Sequence, residues 1–314
     1  MVAFLDFEKP VAELRARIDE LRETADANST LKIDAEVAKL QQQSDKALRD
    51  LYAKLTPWQK TQVARHQERP RFRDYVAGIA TDFMVLAGDR AFGDDQAILG
   101  GFARIGGSRV MLIGHEKGDD TASRIRHNFG MAKPEGYRKA IRLMKLAERF
   151  GLPVVTLVDT AGAFPGVQAE ERGQAEAIAR STEQCLELKV PIVAAIVGEG
   201  GSGGAVALAG ANRVLMFEHA IYSVISPEGA SSILWRTADR AADAAEAMKI
   251  TAQDLVKLGV VDRIVTEPVG GAHRDKPAAI ASLGAAIGEE LGLLGSLSAG
   301  ELLEARRAKF LAIG

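Results

Sequence analysis

Two apolar runs, residues 154–158 and 192–197, each end in a glycine-rich loop that opens a helical segment. A short run that is apolar throughout, or apolar but for one threonine (Thr156), reads as a strand buried on both faces. A helix-length segment after it gives the crossover that a parallel neighbour needs. Residues 97–105, 109–113 and 213–217 read as further strands, the first two split by the turn Gly106-Gly107. Residues 136–150, 170–188 and 202–209 read as helices. This alternation argues for the α/β class. The recurring unit of strand, glycine loop and helix suggests repeated, stacked ββα units rather than an open dinucleotide-binding sheet.

Residues 1–65 read differently, as a helical arm. Pro10 suits a first helical turn, and Leu14, Ile18 and Leu21 follow at helical spacing. Residues 26–30 break the pattern. Leu31, Val37, Leu40, Ala47, Leu48, Leu51 and Leu55 mark a second helix, and Thr56-Pro57 caps a third. Other helix faces carry few long apolar residues, so the arm is expected to pack on the main domain, residues 66–314, or on a partner. Arg69-Pro70-Arg71-Phe72-Arg73 marks the boundary, as a solvated linker or an anion contact. Residues 124–140 form a second basic stretch, open to the same two readings. Beyond Pro227 the chain is again helical. Thr251 caps residues 252–258, Gly259 ends that helix, residues 260–265 form a strand, and residues 278–313 a helical tail.

Composition removes several classes. The net charge is −2 over 314 residues, and basic residues are not interleaved with aromatic ones, so nucleic acid is not the expected partner. Cys185 is the single cysteine, which leaves no disulfide framework and no cysteine-rich metal site. The start MVAFLDFEKP lacks a basic lead into an apolar core, and no apolar run reaches the roughly 18 residues of a membrane span. A cytoplasmic setting is expected. Glycine stands out, with 31 residues gathered in loops where tight turns or a close ligand need it.

The first loop is Val158-Asp159-Thr160-Ala161-Gly162-Ala163-Phe164-Pro165-Gly166, and the second is Gly198-Glu199-Gly200-Gly201-Ser202-Gly203-Gly204-Ala205. Each can present unpaired N–H groups where a helix begins, which favours anions. The second loop is no Walker loop, and its match to a dinucleotide fingerprint is superficial. A pair of such loops suggests two oxyanion holes. Ser202 reads as a helix cap before a nucleophile, Cys185 as core, and Asp159 as either a catalytic carboxylate or an acceptor for loop N–H groups. No two histidines have zinc-ligand spacing.

Several longer stretches carry a family resemblance. They are GDRAFGDD (residues 88–95), RHNFGMAKPEGYRKA (126–140), DTAGAFPG (159–166), AEERGQAEAIA (169–179), GEGGSGGA (198–205), YSVISPEGASSILW (222–235) and GGAHRD (270–275). In this order they closely resemble the carboxyltransferase alpha subunits of acetyl-CoA carboxylases. The resemblance implies a crotonase-like fold and transfer of a carboxyl group from carboxybiotin, on a biotin carboxyl carrier protein, to acetyl-CoA. It implies a beta subunit with a zinc ribbon, which a chain with one cysteine cannot carry itself, and a biotin carboxylase in the full complex. It places the biotin side of the site here: Gly203 and Gly204 as amide donors, Gly162 and Ala163 as weaker ones, and Gly200, Gly201 and Ala205 shaping the carboxybiotin side. Ala161 and Phe164 stand where the family often has proline and tyrosine. Two alternatives remain: a self-sufficient acyl-CoA hydratase or isomerase, for which Glu199 is the nearby acid–base candidate, and a non-catalytic scaffold or nucleic-acid binder.

Overall fold

In the computed structural model, which describes residues 3–27 and 33–313, the chain begins with three helices: α1 (Lys9–Ala27), α2 (Asp34–Tyr52) and α3 (Pro57–Ala64). The break expected around Asn28 to Thr30, and Leu31, lie outside the described residues. Thr56 caps α3 through the Gln59 N–H, as its position before Pro57 predicts. The arm does hold a small core, in which Val11, Leu48, Tyr52 and Val63 pack with Phe4, Phe7 and Leu51. It is also tied down. Glu8 accepts from Tyr52 at 2.9 Å and pairs with Arg274 at 2.7 Å.

Next come α4 (Phe72–Ile79) and β1 (Ala80–Val85), followed by the hairpin β2 (Ile98–Ile105) and β3 (Ser108–His115), turned at Gly106-Gly107. α5 (Thr121–Arg126) and α6 (Pro134–Arg149) lead to β4 (Val154–Thr160), α7 (Val167–Glu171), α8 (Gln174–Glu187), β5 (Ile192–Gly201) and α9 (Ser202–Ala209). β6 (Arg213–Phe217), β7 (Ile221–Ser223), α10 (Pro227–Trp235), α11 (Ala241–Ala247), α12 (Ala252–Lys257), β8 (Arg263–Val265), α13 (Lys276–Leu294) and α14 (Ala299–Leu311) complete the chain.

The strands form one sheet in the order β1-β2-β3-β4-β5-β6-β8, with β7 beside the end of β5. β1 to β3 are antiparallel and every later pairing is parallel. Every residue of β4 and β5 is buried, as expected for parallel strands covered on both faces. α6 packs on β2 and β3, α9 on β4 and β5, and α13 on α4. The mixed sheet with its helical layers is crotonase-like.

Four expectations need correction. β1 follows α4 directly, where the sequence pattern gives no strand. Residues 170–188 are not one helix, because Arg172 ends α7 and Gly173, at φ +79°, turns the chain into α8. α13 is long and apolar enough, by length and composition, to cross a membrane. Here it is a domain helix, with Ile280, Leu283, Ile287, Leu291 and Leu294 on its buried face. The basic boundary is not a solvated linker throughout. Arg69 is fully buried, donates two hydrogen bonds to Glu267 at 2.9 and 2.6 Å, and donates a third to the Val197 carbonyl at 2.8 Å.

Three buried histidines set the acid response. Burial lowers His115 to about 4 and His273 to about 3, and it also lowers His219. His115 and His273 stay neutral in the fold down to about pH 5, whereas in the unfolded chain they protonate near pH 6.5. Their contribution to stability is therefore fully present above that value and declines as pH falls below it, by about 1.4 kcal/mol per pH unit for each of the two. Urea unfolding at pH 7.5, 6 and 5 is expected to give steadily falling midpoints. Equal midpoints would show that the histidines do not stay neutral.

Candidate active site

Because β4 and β5 are parallel neighbours, with Val154 opposite Ile192 and Val158 opposite Ile196, their ends deliver both glycine loops to one place. β5 runs four residues further than its apolar core, to Gly201. Thr160 pairs with Gly200 on one side, and β7 flanks residues 199–201 on the other.

The glycines of the second loop make room for the protein's own atoms. A β-carbon at Gly198 would lie 2.5 Å from Asp159 Oδ1, and one at Gly200 would lie 2.9 Å from the Tyr222 ring. One at Gly201 would strike the Ala161 carbonyl. One at Gly204 would lie 2.7 Å from the Gly162 carbonyl carbon and 3.0 Å from the Ala163 nitrogen. At Gly203 only the Ile178 side chain is near, at 3.3 Å. The two loops thus meet backbone to backbone, with Gly200, Gly201, Gly204 and Ala205 buried and Gly203 half-buried.

The amides divide accordingly. Gly162 donates to Thr160 Oγ1 at 3.1 Å, so this N–H has a partner within its own loop. The half-buried Ala163 N–H finds no acceptor among the described residues. Gly203 and Gly204 lie in the first turn of α9, where N–H groups have no acceptor within the helix. The Gly203 and Gly204 amides lie at the positive end of the helix dipole, and Gly204 lies against the Ala163 nitrogen.

Ser202 does not cap α9. Gly201 precedes the helix, and Ser202 is its first residue, at φ +51°. Residues 200–204 have the G-x-S-x-G spacing of a strand-to-helix elbow, a turn that exposes the amide after the serine. A left-handed residue other than glycine costs of order 1–3 kcal/mol, and such strain gathers at functional turns.

Around the loops runs a chain of charges whose pairing the sequence pattern does not reveal. Asp159 is buried, lies 2.7 Å from Lys117 Nζ and 3.5 Å from Arg71, and accepts the Glu199 N–H at 3.0 Å. Burial alone would raise its pKa, but Lys117, Arg71 and the Glu199 amide outweigh that and hold it below the usual carboxylate range. Glu199 pairs with Arg65 at 2.7 Å, and Arg65 with Glu228 at 2.5 Å. Glu199 is thus bound on its outer side by a guanidinium. Of the two readings of Asp159, the acceptor of a loop N–H is the one the geometry supports.

The basic stretch at 124–140 divides: Arg126 is exposed, whereas residues 132–140 are mostly internal. Lys139 is buried and reaches Asp94 at 2.5 Å, Arg138 pairs with Asp89 at 2.9 Å, and Asp95 accepts the Lys133 N–H. Asp89 also accepts three loop amides and is lowered to about 2. Residues 88–95 and 133–139 therefore clasp one another. Phe164 lies under the Lys133 ammonium, 4.9 Å from its ring centroid, and its carbonyl accepts from Gln174. Among the described residues, no group of three or more His, Cys, Asp or Glu is placed to hold a metal ion.

Fold and site together define a crotonase-like protein whose loops offer main-chain amides at the end of a parallel sheet. The fold resembles that of transcarboxylase 12S with methylmalonyl-coenzyme A bound, at a TM-score of 0.60 and 21% identity, over 73% of this chain and 42% of that one. It also resembles a Pseudomonas malonate decarboxylase hetero-tetramer in complex with coenzyme A, at a TM-score of 0.59 and 17% identity, over 76% of this chain and 97% of that one. Residues 4–314 match the family described as acetyl co-enzyme A carboxylase carboxyltransferase-like. The acetyl-coenzyme A carboxylase carboxyl transferase subunit alpha of Rhizorhabdus wittichii is 76% identical over the full length of both chains. That of Sphingopyxis alaskensis is 71% identical over all of this chain and 99% of the other. This chain belongs to the acetyl-CoA carboxylase carboxyltransferase family, as an alpha subunit, and is a transferase subunit.

Proposed function

We propose that this chain, together with a beta subunit, transfers a carboxyl group from carboxybiotin on a carrier protein to acetyl-CoA, giving malonyl-CoA. The observation that carries the reading is the meeting of two amide-bearing loops at the ends of β4 and β5, in a chain matched by the family almost end to end. Carboxybiotin supplies the activated carboxyl group, and negative charge develops on carbonyl oxygens during transfer. The Ala163, Gly203 and Gly204 amides suit such an oxygen, and one preorganised donor is worth about 3–4 kcal/mol. Gly200, Gly201 and Ala205 support the loop from within. Glu199, bound by Arg65, is poorly placed as a free acid–base, which weighs against a self-sufficient hydratase.

The test is reconstitution. The purified chain alone is expected to show no carboxyl transfer and no turnover of an enoyl-CoA. Adding the beta subunit and a carboxylated biotin carrier is expected to produce malonyl-CoA. Enoyl-CoA hydration by the chain alone would replace the proposal, and an inactive reconstituted complex would remove it.

A further inference from the structure

The charged group beneath the loops goes beyond the amides themselves. Lys117 lies between β3 and α5, 13% exposed in its side chain. Its ammonium reaches Asp159 on β4 at 2.7 Å and Glu199 on β5 at 3.7 Å. Asp159 in turn accepts the Glu199 N–H. One cation thus joins the last turns of both strands where their register shifts, between Val158 and Thr160. Two glycines fit around it. A β-carbon at Gly130, at φ +80°, would lie 2.7 Å from Lys117 Cγ, and one at Gly198 would press on the Asp159 carboxylate. Two further segments, at Gly130 and Gly198, therefore leave space for the Lys117–Asp159 ion pair.

We propose that Lys117 is a positioning residue: through Asp159 and Glu199 it fixes one glycine loop against the other, and so sets the separation of the Ala163 amide from those of Gly203 and Gly204. This rests on the function proposed above, because it assigns the amides to the developing charge. Lys117 touches no reacting atom. Its effect comes through geometry, and a shift of about 1 Å at reacting groups can cost about 100-fold in rate.

The experiment uses the complex reconstituted with the beta subunit and carrier. Lys117→Met is expected to lower kcat by about 10- to 100-fold and leave the KM for acetyl-CoA within about twofold. Lys117→Arg, which keeps the charge, is expected to recover most of the rate. Amide hydrogen exchange on the chain alone is expected to quicken in residues 161–166 and 199–205 of the Met variant and not elsewhere in the sheet. A wild-type kcat for Lys117→Met, a change confined to KM, or unchanged exchange in both loops would overturn the proposal. If Lys117→Met does not fold, Lys117→Gln takes its place, with the same measurements and the same expected results. A wild-type complex without carboxyl transfer would remove the proposed function instead, while hydrogen exchange would still show whether Lys117 holds the loops together.

Discussion

Gly204→Ala is expected to lower carboxyl transfer in the reconstituted complex by about 100-fold or more, and Gly203→Ala to cost far less. Intrinsic propensity points the other way, since alanine is favoured over glycine inside a helix by about 1 kcal/mol. What differs is the surroundings. At 204 the added methyl meets main chain, 2.7 Å from the Gly162 carbonyl carbon, and main chain can yield only by moving the Ala163 amide. At 203 it meets the Ile178 side chain, which can change rotamer. Steady-state rates of the two variants in one preparation decide the matter. Equal losses, or a fully active Gly204→Ala, would mean that loop spacing does not control the chemistry.

Arg69→Met is expected to reduce stability by about 3–5 kcal/mol, read from urea unfolding at pH 7.5. The guanidinium and the Glu267 carboxylate are both fully enclosed. Glu267 also accepts the His219 and Ala272 amides, and its pKa falls to about 2 because Arg69 and these donors overcome the penalty of burial. Removing the arginine leaves a buried charge without its partner. The double variant Arg69→Met with Glu267→Gln is expected to regain part of the loss, because no lone charge remains. A loss below about 1 kcal/mol for the single variant would show that water or another cation replaces the arginine.

Much of the sheet is legible in the sequence because buried parallel strands advertise themselves as apolar runs. β6 and α9 fall on their expected residues, as does the Gly106-Gly107 turn. β1 is hidden for the opposite reason. It is an edge strand, mostly exposed, and follows α4 with no connecting loop, so no run of turn residues separates the two. The end of β5 reads as loop in the sequence because clustered glycines suit a close ligand. In the fold they receive Asp159, Tyr222 and the Ala161 carbonyl, neighbours that no local pattern reveals. The charges are harder still. Arg69 and Glu267 lie 198 positions apart, and Arg65 and Glu199 lie 134 apart. A basic cluster in sequence therefore carries no sign of which residues will find acids inside. The candidate amides are readable as a group, through the resemblance, but Thr160's claim on Gly162 depends on a side-chain hydroxyl folding back two residues.

Where one turn rests directly on another with only peptide groups between them, no side chain sits at the junction to be exchanged for a slightly longer or shorter one. Spacing there can be altered only in coarse steps, by disturbing the main chain or its ionic brace. Any retuning of the site through this chain would have to come from residues around the seam and leave the seam itself alone.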